Sequence, residues 1–327
     1  MAPPPPKIAF AGGALDRAAH LRSDGRADRL RFLDTSRAVL VGEGQDVAVS
    51  GGGQNVAVSG EGQDVAASGD GHDVAASGDW RPPALVPVSD LPADAELTFL
   101  GLEPSGAALF AYDARNPWFD APAGTTFVPL RSLAGELDPA DAALAAYAVG
   151  MVGWHRVQRF CGRCGSATAI EAAGHRRRCP VCGLVHFPRT DPAITMLVQS
   201  GDRCLLSRRN GAPRNRWSAL AGFVEPGETP EEAVIREARE ETGVEVVSVE
   251  YAAAQPWPFP QALMIGYWAV VDPAAATTLT PDPSELVEAR WWERSELDRS
   301  LRAGAIVLPP PGTIGNYLIS TWLAGVT

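Results

Sequence analysis

The chain has 327 residues, of which 46% are hydrophobic, and this composition and length suit a globular protein with two domains and a small module. Its 28 basic and 39 acidic residues give a net charge of −11, which argues against a general nucleic-acid coat protein. No apolar stretch reaches membrane-spanning length and the N-terminal MAPPPPKIAF has no apolar signal-peptide core, so we expect a cytoplasmic protein.

The first 158 residues predict an α+β domain. Apolar runs indicate strands at 97–102 and 107–112, and residues 141–159 favour a helix. Two further strands are plausible at 37–41 and 84–88.

A nine-residue repeat interrupts this region. Residues 42–77 read GEGQDVAVS, GGGQNVAVS, GEGQDVAAS and GDGHDVAAS. Nonapeptide repeats rich in glycine and aspartate can form calcium-binding β-rolls. Here alanine takes the large apolar position and Asn55 replaces one aspartate, so we interpret residues 42–77 as a low-complexity insertion in a flexible surface loop.

Four of the five cysteines form two CxxC pairs. They are Cys161, Cys164, Cys179 and Cys182. Two CxxC pairs at this spacing favour a closed, structural zinc site with four thiolate ligands. Two disulfides are the alternative, but no oxidising context supports them. Cys204, in an apolar run, is predicted to be a buried core thiol.

Basic residues crowd the segment between the cysteine pairs. They are Arg163, His175, Arg176, Arg177 and Arg178. Contact with RNA is one interpretation, and a solvated run of charge is the favoured one.

Beyond residue 189, apolar runs predict strands at 193–199, 204–208, 246–253 and 263–271, with a last helix over 313–324. Another helix is predicted after Thr229, which with Glu232 three residues later forms a capping box. Pro230 suits the first turn and Gly243 supplies a stop. The pattern indicates an α/β/α sandwich with a mixed sheet.

Three glutamates, Glu237, Glu240 and Glu241, fall at positions i, i+3 and i+4 of this helix and share one face. Such carboxylates repel one another unless a cation lies between them, and hard divalent ions prefer oxygen ligands. A merely solvated, glutamate-rich face is the alternative. We interpret the face as a metal platform for phosphate chemistry.

The segment from Gly222 to Val244 resembles the Nudix box, G-x5-E-x7-R-E-U-x-E-E-x-G-U, at all seven fixed positions. The resemblance implies a site for several Mg²⁺ or Mn²⁺ ions in which Glu241 is the base that activates water. It implies structural roles for four residues: Gly222, Glu228, Arg236 and Gly243. The implied metal ligands are the Ala221 carbonyl, Glu237, Glu240, Glu241 and, outside the box, Glu285.

A second motif, AQPWPFPQ at residues 254–261, resembles the SQPWPFPxS signature of the NAD(H) pyrophosphatase branch of that family. Ala254 and Ala262 stand where the family has serine, which removes two hydroxyl donors. A proline-stiffened loop that packs into the core is the alternative. The resemblance implies the following substrate-binding residues: Phe223, Gln255, Trp257, Phe259, Gln261, Phe187, Arg131 and Gly315.

The resemblance implies three regions: an N-terminal Nudix-like domain at 1–158, a ribbon with one structural zinc at 159–188, and a catalytic Nudix domain at 189–327. It further implies hydrolysis of NADH or NAD⁺ to NMN(H) and AMP, removal of NAD caps from RNA, and a homodimer. Hydrolysis of ADP-ribose or another dinucleotide is an alternative, as is a non-catalytic sensor of NAD or capped RNA.

Overall fold

The computed structural model describes residues 8–326 apart from positions 12, 14, 23–24, 51–82, 116–118 and 273–277. Within these described residues the strands form three sheets, each built from one continuous stretch of the chain. No helix in this part of the chain is long and apolar enough to cross a membrane.

The first sheet has six strands and lies in the N-terminal region. They are β1 (Arg37–Val41), β2 (Asp46–Ser50), β3 (Leu85–Pro87), β4 (Leu97–Leu102), β5 (Ala108–Asp113) and β6 (Thr125–Pro129). The spatial order is β4-β5-β1-β2-β6, with β3 also paired to β1. Strands β1 and β5 are parallel, and the other pairs are antiparallel. The helices of this region are α1 (Arg26–Leu30) and α2 (Pro139–Val157).

Strand β2 corrects one prediction about the nonapeptide repeat. The first copy, placed by the sequence in a flexible surface loop, supplies β2, and its residues Val47, Ala48 and Val49 are at most 1% exposed. Its V-A-V triplet alternates between two apolar faces, which drives pairing with β1 and β6. The later copies, including Asn55, lie outside the described residues.

Helix α2 covers one face of this sheet. Asp138 caps its N-terminus by accepting a hydrogen bond from the Ala140 amide, and Pro139 occupies the first turn. Its alanines let the helix pack closely on Val39, Val41 and the strands beside them.

The second sheet is small, and the four cysteines of the CxxC pairs lie in the turns next to its strands. It consists of β7 (Ala169–Glu171), β8 (Arg176–Arg178) and β9 (Val185–His186), in that spatial order. It lies between the other two sheets in the chain.

The third sheet is mixed and has six strands. They are β10 (Asp191–Ser200), β11 (Arg203–Arg209), β12 (Leu220–Phe223), β13 (Val246–Trp257), β14 (Ala262–Val271) and β15 (Leu286–Glu293). The order is β13-β14-β10-β11-β15, with β12 beside the first half of β10. The helices are α3 (Pro230–Thr242), α4 (Arg294–Arg302) and α5 (Ile314–Leu323).

Helices α3 and α5 cover opposite faces of the third sheet, which confirms the predicted sandwich. Side chains along β10 alternate: Ile194 packs against the α3 side and Leu197 against the α5 side. Trp322 of α5 is fully buried, and burying a side chain of this size contributes about 3 kcal/mol. Cys204 belongs to the same cluster, as predicted.

Candidate active site

The loop between β12 and α3 builds the centre of the candidate site. Thr229 and Glu232 form the predicted capping box, and Gly243 ends α3 with a left-handed φ of 74°. Gly222 faces α3 so closely that a Cβ atom there would lie 2.0 Å from the Glu237 carboxylate. Any side chain at this position would displace that carboxylate.

Arg236 organises the acidic face of α3. Its guanidinium donates to both oxygens of Glu228, at 2.8 and 2.9 Å, and the two side chains form an ion pair. It also donates to Glu237 at 2.8 Å and to Glu240 at 3.0 Å. The hydrogen bonds from Arg236 lower the pKa of Glu228, and those same bonds raise the pKa of Arg236 itself. One arginine therefore fixes two of the three glutamates that share this face of α3.

Glu241 is the most buried member of the face, at 1% exposure. Burial, together with repulsion from Glu237 and Glu285, raises its pKa to about 8, although the charge of Arg209 opposes the rise. Its Oε2 atom is buried and accepts no hydrogen bond from the described residues. Burial also raises the pKa of Glu237. Burial therefore disfavours the charged forms of Glu237 and Glu241, and a cation close to them would stabilise those charges.

Arg209, at the end of β11, is a member of this site that the sequence analysis missed. Its Nη2 donates to Glu241 Oε1 at 3.1 Å and to the Ala221 carbonyl. The sequence pattern does not indicate this contact, because Arg209 lies 32 residues before Glu241 and the folding of the sheet brings the two together.

The donors around Glu241 suit a hard divalent cation. They are oxygen atoms only: the carboxylates of Glu237, Glu240, Glu241 and Glu285 and the Ala221 carbonyl. The unpartnered Oε2 of Glu241 is a free ligand atom inside the protein. Glu240 and Glu285 are exposed, and in the described structure only the four cysteines bring three or more acidic, histidine or cysteine ligand atoms within 4.8 Å of one another. The ligand atoms of the glutamates are therefore spaced more widely than the four thiol groups.

The four cysteines converge as predicted. Their Sγ atoms all lie within 4.8 Å of one another. The closest pairs are 3.6 Å (Cys161–Cys182) and 3.5 Å (Cys164–Cys179), too long for disulfides. Two matching turns, in which the amides of Gly165 and Gly183 bond back to the first cysteine of each pair, aim the thiols inward. This is a closed tetrathiolate site for one structural zinc ion.

The prediction of a solvated charge run in the ribbon is wrong for Arg177. Arg177 is buried, and its guanidinium donates to the hydroxyl and carbonyl of Thr168 and to the ring of His155 in α2. Arg176 and Arg178 both pair with Glu171. These contacts fold the ribbon and fasten it to α2.

The AQPWPFPQ motif packs against the N-terminal region. Gln255 is fully buried, and its Nε2 donates to Ala9 O and Gly312 O, both at 2.9 Å. Its Oε1 accepts from the Ile314 amide at the start of α5. Phe259 is 7% exposed in the α2 core. This corrects the prediction that Gln255 and Phe259 contact a substrate, because both side chains are engaged within the protein.

The Trp257 side chain is more exposed than those of Gln255 and Phe259. It is half-buried, stacks edge-on with Phe259 at 4.9 Å, and lies 5.5 Å from the Arg131 guanidinium. Arg131 also lies 5.0 Å from Phe259. A cleft of about 750 Å³ opens beside Trp257 and includes Gln261 and Arg189 in its wall.

The remaining predicted contact residues are scattered around the same end of the third sheet. Phe223 is 41% exposed at the end of β12, and Phe187 is 65% exposed at the junction with the ribbon. Gln261 donates to Asp191 at 3.2 Å. Gly315 lies in the first turn of α5. Substrate contact by these residues stays a prediction.

Cross-strand pairing places the Nudix loop and the motif level with each other. Gly222 of β12 pairs with Ile194 of β10, which pairs with Ile265 of β14, which pairs with Ala254 of β13. Three steps of about 4.8 Å put the two segments roughly 14 Å apart on one sheet. This fold and this oxygen-rich acidic face are together typical of metal-dependent phosphate hydrolases.

Comparison with known proteins is consistent with this class. Three family models match: a NUDIX domain at residues 189–308, an NADH pyrophosphatase zinc ribbon domain at 156–187, and an NADH pyrophosphatase-like rudimentary NUDIX domain at 32–154. The NAD-capped RNA hydrolase NudC of Stutzerimonas stutzeri is 37% identical over 219 residues, which cover 67% of this chain and 75% of that protein. The chain belongs to the Nudix hydrolase family.

Two further relatives show the range of the similarity. The NAD-capped RNA hydrolase NUDT12 of Homo sapiens is 38% identical over 237 residues, covering 68% of this chain and 49% of the relative. The mitochondrial NAD(P)H pyrophosphatase NUDT13 of Mus musculus is 36% identical over 216 residues, covering 62% and 61%. The chain thus spans about half the length of the human relative.

Proposed function

We propose that this protein hydrolyses the pyrophosphate bond of NADH or NAD⁺ to NMN(H) and AMP and removes NAD caps from RNA 5′ ends. The observation that carries the proposal is the cross-strand row that sets Gly222 level with Ala254. It places the acidic face and the AQPWPFPQ motif about 14 Å apart, a span that suits a dinucleotide. In the relatives, NudC and NUDT12 are NAD-capped RNA hydrolases and NUDT13 is an NAD(P)H pyrophosphatase.

In the reaction, a water oxygen forms a bond to one phosphorus atom and the bond from that phosphorus to the bridging oxygen breaks. The bridging oxygen leaves with the other phosphate. A divalent ion held by Ala221 O, Glu237, Glu240, Glu241 and Glu285 would neutralise phosphate charge and acidify the water. Mg²⁺ and Mn²⁺ both suit such oxygen ligands.

Glu241 accepts the proton of the attacking water in this proposal. Its carboxylate is the acceptor, and burial keeps bulk water away from it. Arg236 holds Glu237 and Glu240 in fixed positions, so the site is organised before substrate arrives. Trp257 and Phe223 offer aromatic surfaces for the two bases.

The test is product analysis by HPLC after incubation with NADH, NAD⁺ or ADP-ribose in Mg²⁺ or Mn²⁺. We expect NMN(H) and AMP from the wild type and a loss of at least about 100-fold in Glu241→Gln. Glu245→Gln is the matched control, because Glu245 is exposed and pairs with Arg239 away from the proposed ligands. Equal rates in wild type and Glu241→Gln would reject the assignment.

A different dinucleotide is the second candidate, and one observation favours it. Ala254 and Ala262 carry no hydroxyl group, so two donors expected from the family resemblance are absent. Turnover of ADP-ribose without turnover of NADH would select this candidate. Tight NAD binding without any turnover would instead favour a non-catalytic sensor of NAD or capped RNA.

The homodimer and the cytoplasmic location belong to the proposal as well; the family resemblance supports the first, and the sequence features described above support the second. Light scattering after size exclusion tests the first, and a mass of one chain would reject it.

A further inference from the structure

Arg209 shares two atoms with the proposed metal site. Its Nη2 donates to Glu241 Oε1 at 3.1 Å and to the Ala221 carbonyl oxygen. Both oxygens are among the ligands proposed above. The Arg209 side chain is 23% exposed whereas the Glu241 side chain is 2% exposed, so the guanidinium reaches inward to a buried carboxylate.

Alternation along β11 explains why this arginine turns toward the site while its neighbour does not, because successive side chains of a strand point to opposite faces. The register between β11 and β15 shifts between Arg208 and Arg209, and the extra residue of this irregularity, Val287, lies in β15. Arg208 pairs with Glu288 of β15 at 3.1 Å, and Arg209 crosses to β12 and α3.

A guanidinium and a divalent ion that share the same oxygens repel each other, because two positive charges at such a distance interact strongly in a poorly solvated site. We propose that Arg209 is a built-in competitor of the catalytic metal, which holds Ala221 O and Glu241 Oε1 until a divalent ion displaces it. The inference rests on the proposed metal site, although not on which dinucleotide is cleaved.

The competition has two opposite consequences. Arg209 gives Glu241 a positive partner, so it stabilises the protein in the absence of divalent ion. The same contact must break when an ion takes the two oxygens, so Arg209 weakens metal binding. Removing Arg209 should therefore lower stability without metal and raise affinity for metal.

The test is Mn²⁺ binding to the full-length, zinc-loaded protein without substrate, measured by electron paramagnetic resonance of free Mn²⁺. Arg209→Met keeps the length of the side chain and removes its charge. We expect the first Mn²⁺ to bind about tenfold tighter than in the wild type, within the range of typical coupling between sites. In buffer depleted of Mn²⁺, the same variant should melt about 2–6 °C lower.

Arg208→Met is the matched control. It removes the same charge one residue away, from an arginine that pairs with Glu288. Equal tightening in both variants would show a general charge effect and overturn the proposal. Unchanged or weaker Mn²⁺ binding in Arg209→Met, or no Mn²⁺ binding in any of the proteins, would overturn it too.

Arg209→Lys keeps the proposal testable if the methionine variant does not fold. Lysine retains the charge but is a single point donor without the guanidinium fork, so we expect Mn²⁺ affinity between those of wild type and Arg209→Met. Affinity below that of the wild type would contradict competition. Because no substrate is present, a protein that fails to cleave NADH but shows this order still supports the inference.

Discussion

Gln255 Nε2 donates to the carbonyl of Ala9 at 2.9 Å, across 246 residues of sequence. The same side chain also bonds Gly312 and Ile314. One buried amide therefore joins the N-terminal segment, the AQPWPFPQ motif and the start of α5. Gln45, in the first nonapeptide copy, adds a fourth link by donating to Pro258 O at 2.9 Å.

We predict that Gln255→Leu destabilises the protein by about 2–4 kcal/mol, because three hydrogen bonds are lost and buried backbone groups remain unpaired. Chemical denaturation measures the effect. Gln199→Leu on β10 is the control and should cost less than about 1 kcal/mol, because its side chain is partly exposed. Equal losses would show that the junction is not special.

Gly222→Ala tests the close contact between β12 and α3. A Cβ atom would lie 2.0 Å from the Glu237 carboxylate, so that carboxylate must move. We expect NADH hydrolysis to fall at least about 100-fold with little change in melting temperature. Gly153→Ala in α2 is the control, since its Cβ meets nothing within 4 Å, and it should keep full activity. Retained activity in Gly222→Ala would contradict the assigned position of Glu237.

Local sequence sufficed where neighbours along the chain decide the structure. The capping box at Thr229 and Glu232 and the stop at Gly243 set the ends of α3, and all three were predicted. The features that were missed depend on partners far away. Arg209 reaches Glu241 only through strand pairing, and the first repeat copy becomes β2 only because β1 and β6 flank it.

The motif shows the same limit. A run of proline and aromatic residues predicts an unusual loop, but it does not say which face packs inward. Phe259 is buried by Phe10, whose ring lies 5.9 Å away, and nothing in the motif itself indicates that partner. The run of basic residues in the ribbon was likewise predicted to be solvated, whereas the Arg177 side chain is buried against α2.

Loss of the ribbon zinc should affect structure before chemistry. In Cys164→Ser we expect zinc, measured by elemental analysis, to fall from one ion per chain toward zero, because a closed tetrathiolate site tolerates no missing ligand. Melting should shift down as the contact between Arg177 and His155 loosens. Cys204→Ala, which alters a buried thiol outside the site, should keep its zinc. Full zinc content in Cys164→Ser would contradict the assignment.

Acid should destabilise the contact between α2 and the ribbon. His155 is neutral in the fold: its Nε2 donates to Gly174 O at 2.8 Å, and its Nδ1 accepts from Arg177 at 3.0 Å. Burial, with the charge of Arg177, lowers the pKa of His155 from 6.5 to about 4. Burial also lowers the pKa of His175 to about 4, and the charges of Arg22 and Arg17 add to this effect.

Since both folded pKa values lie below the unfolded value, the unfolded chain binds more protons in acid. The stability contribution is complete above about pH 6.5 and is lost as the pH falls from there toward about 4. We expect about 1–2 kcal/mol from His155 to be lost by pH 5. Denaturation from pH 7.5 to 5 should therefore show a smaller decline in His155→Gln than in the wild type. The exposed His20 provides the control, and His20→Gln should follow the wild-type curve. An equally steep decline in His155→Gln would show that other groups cause the acid sensitivity.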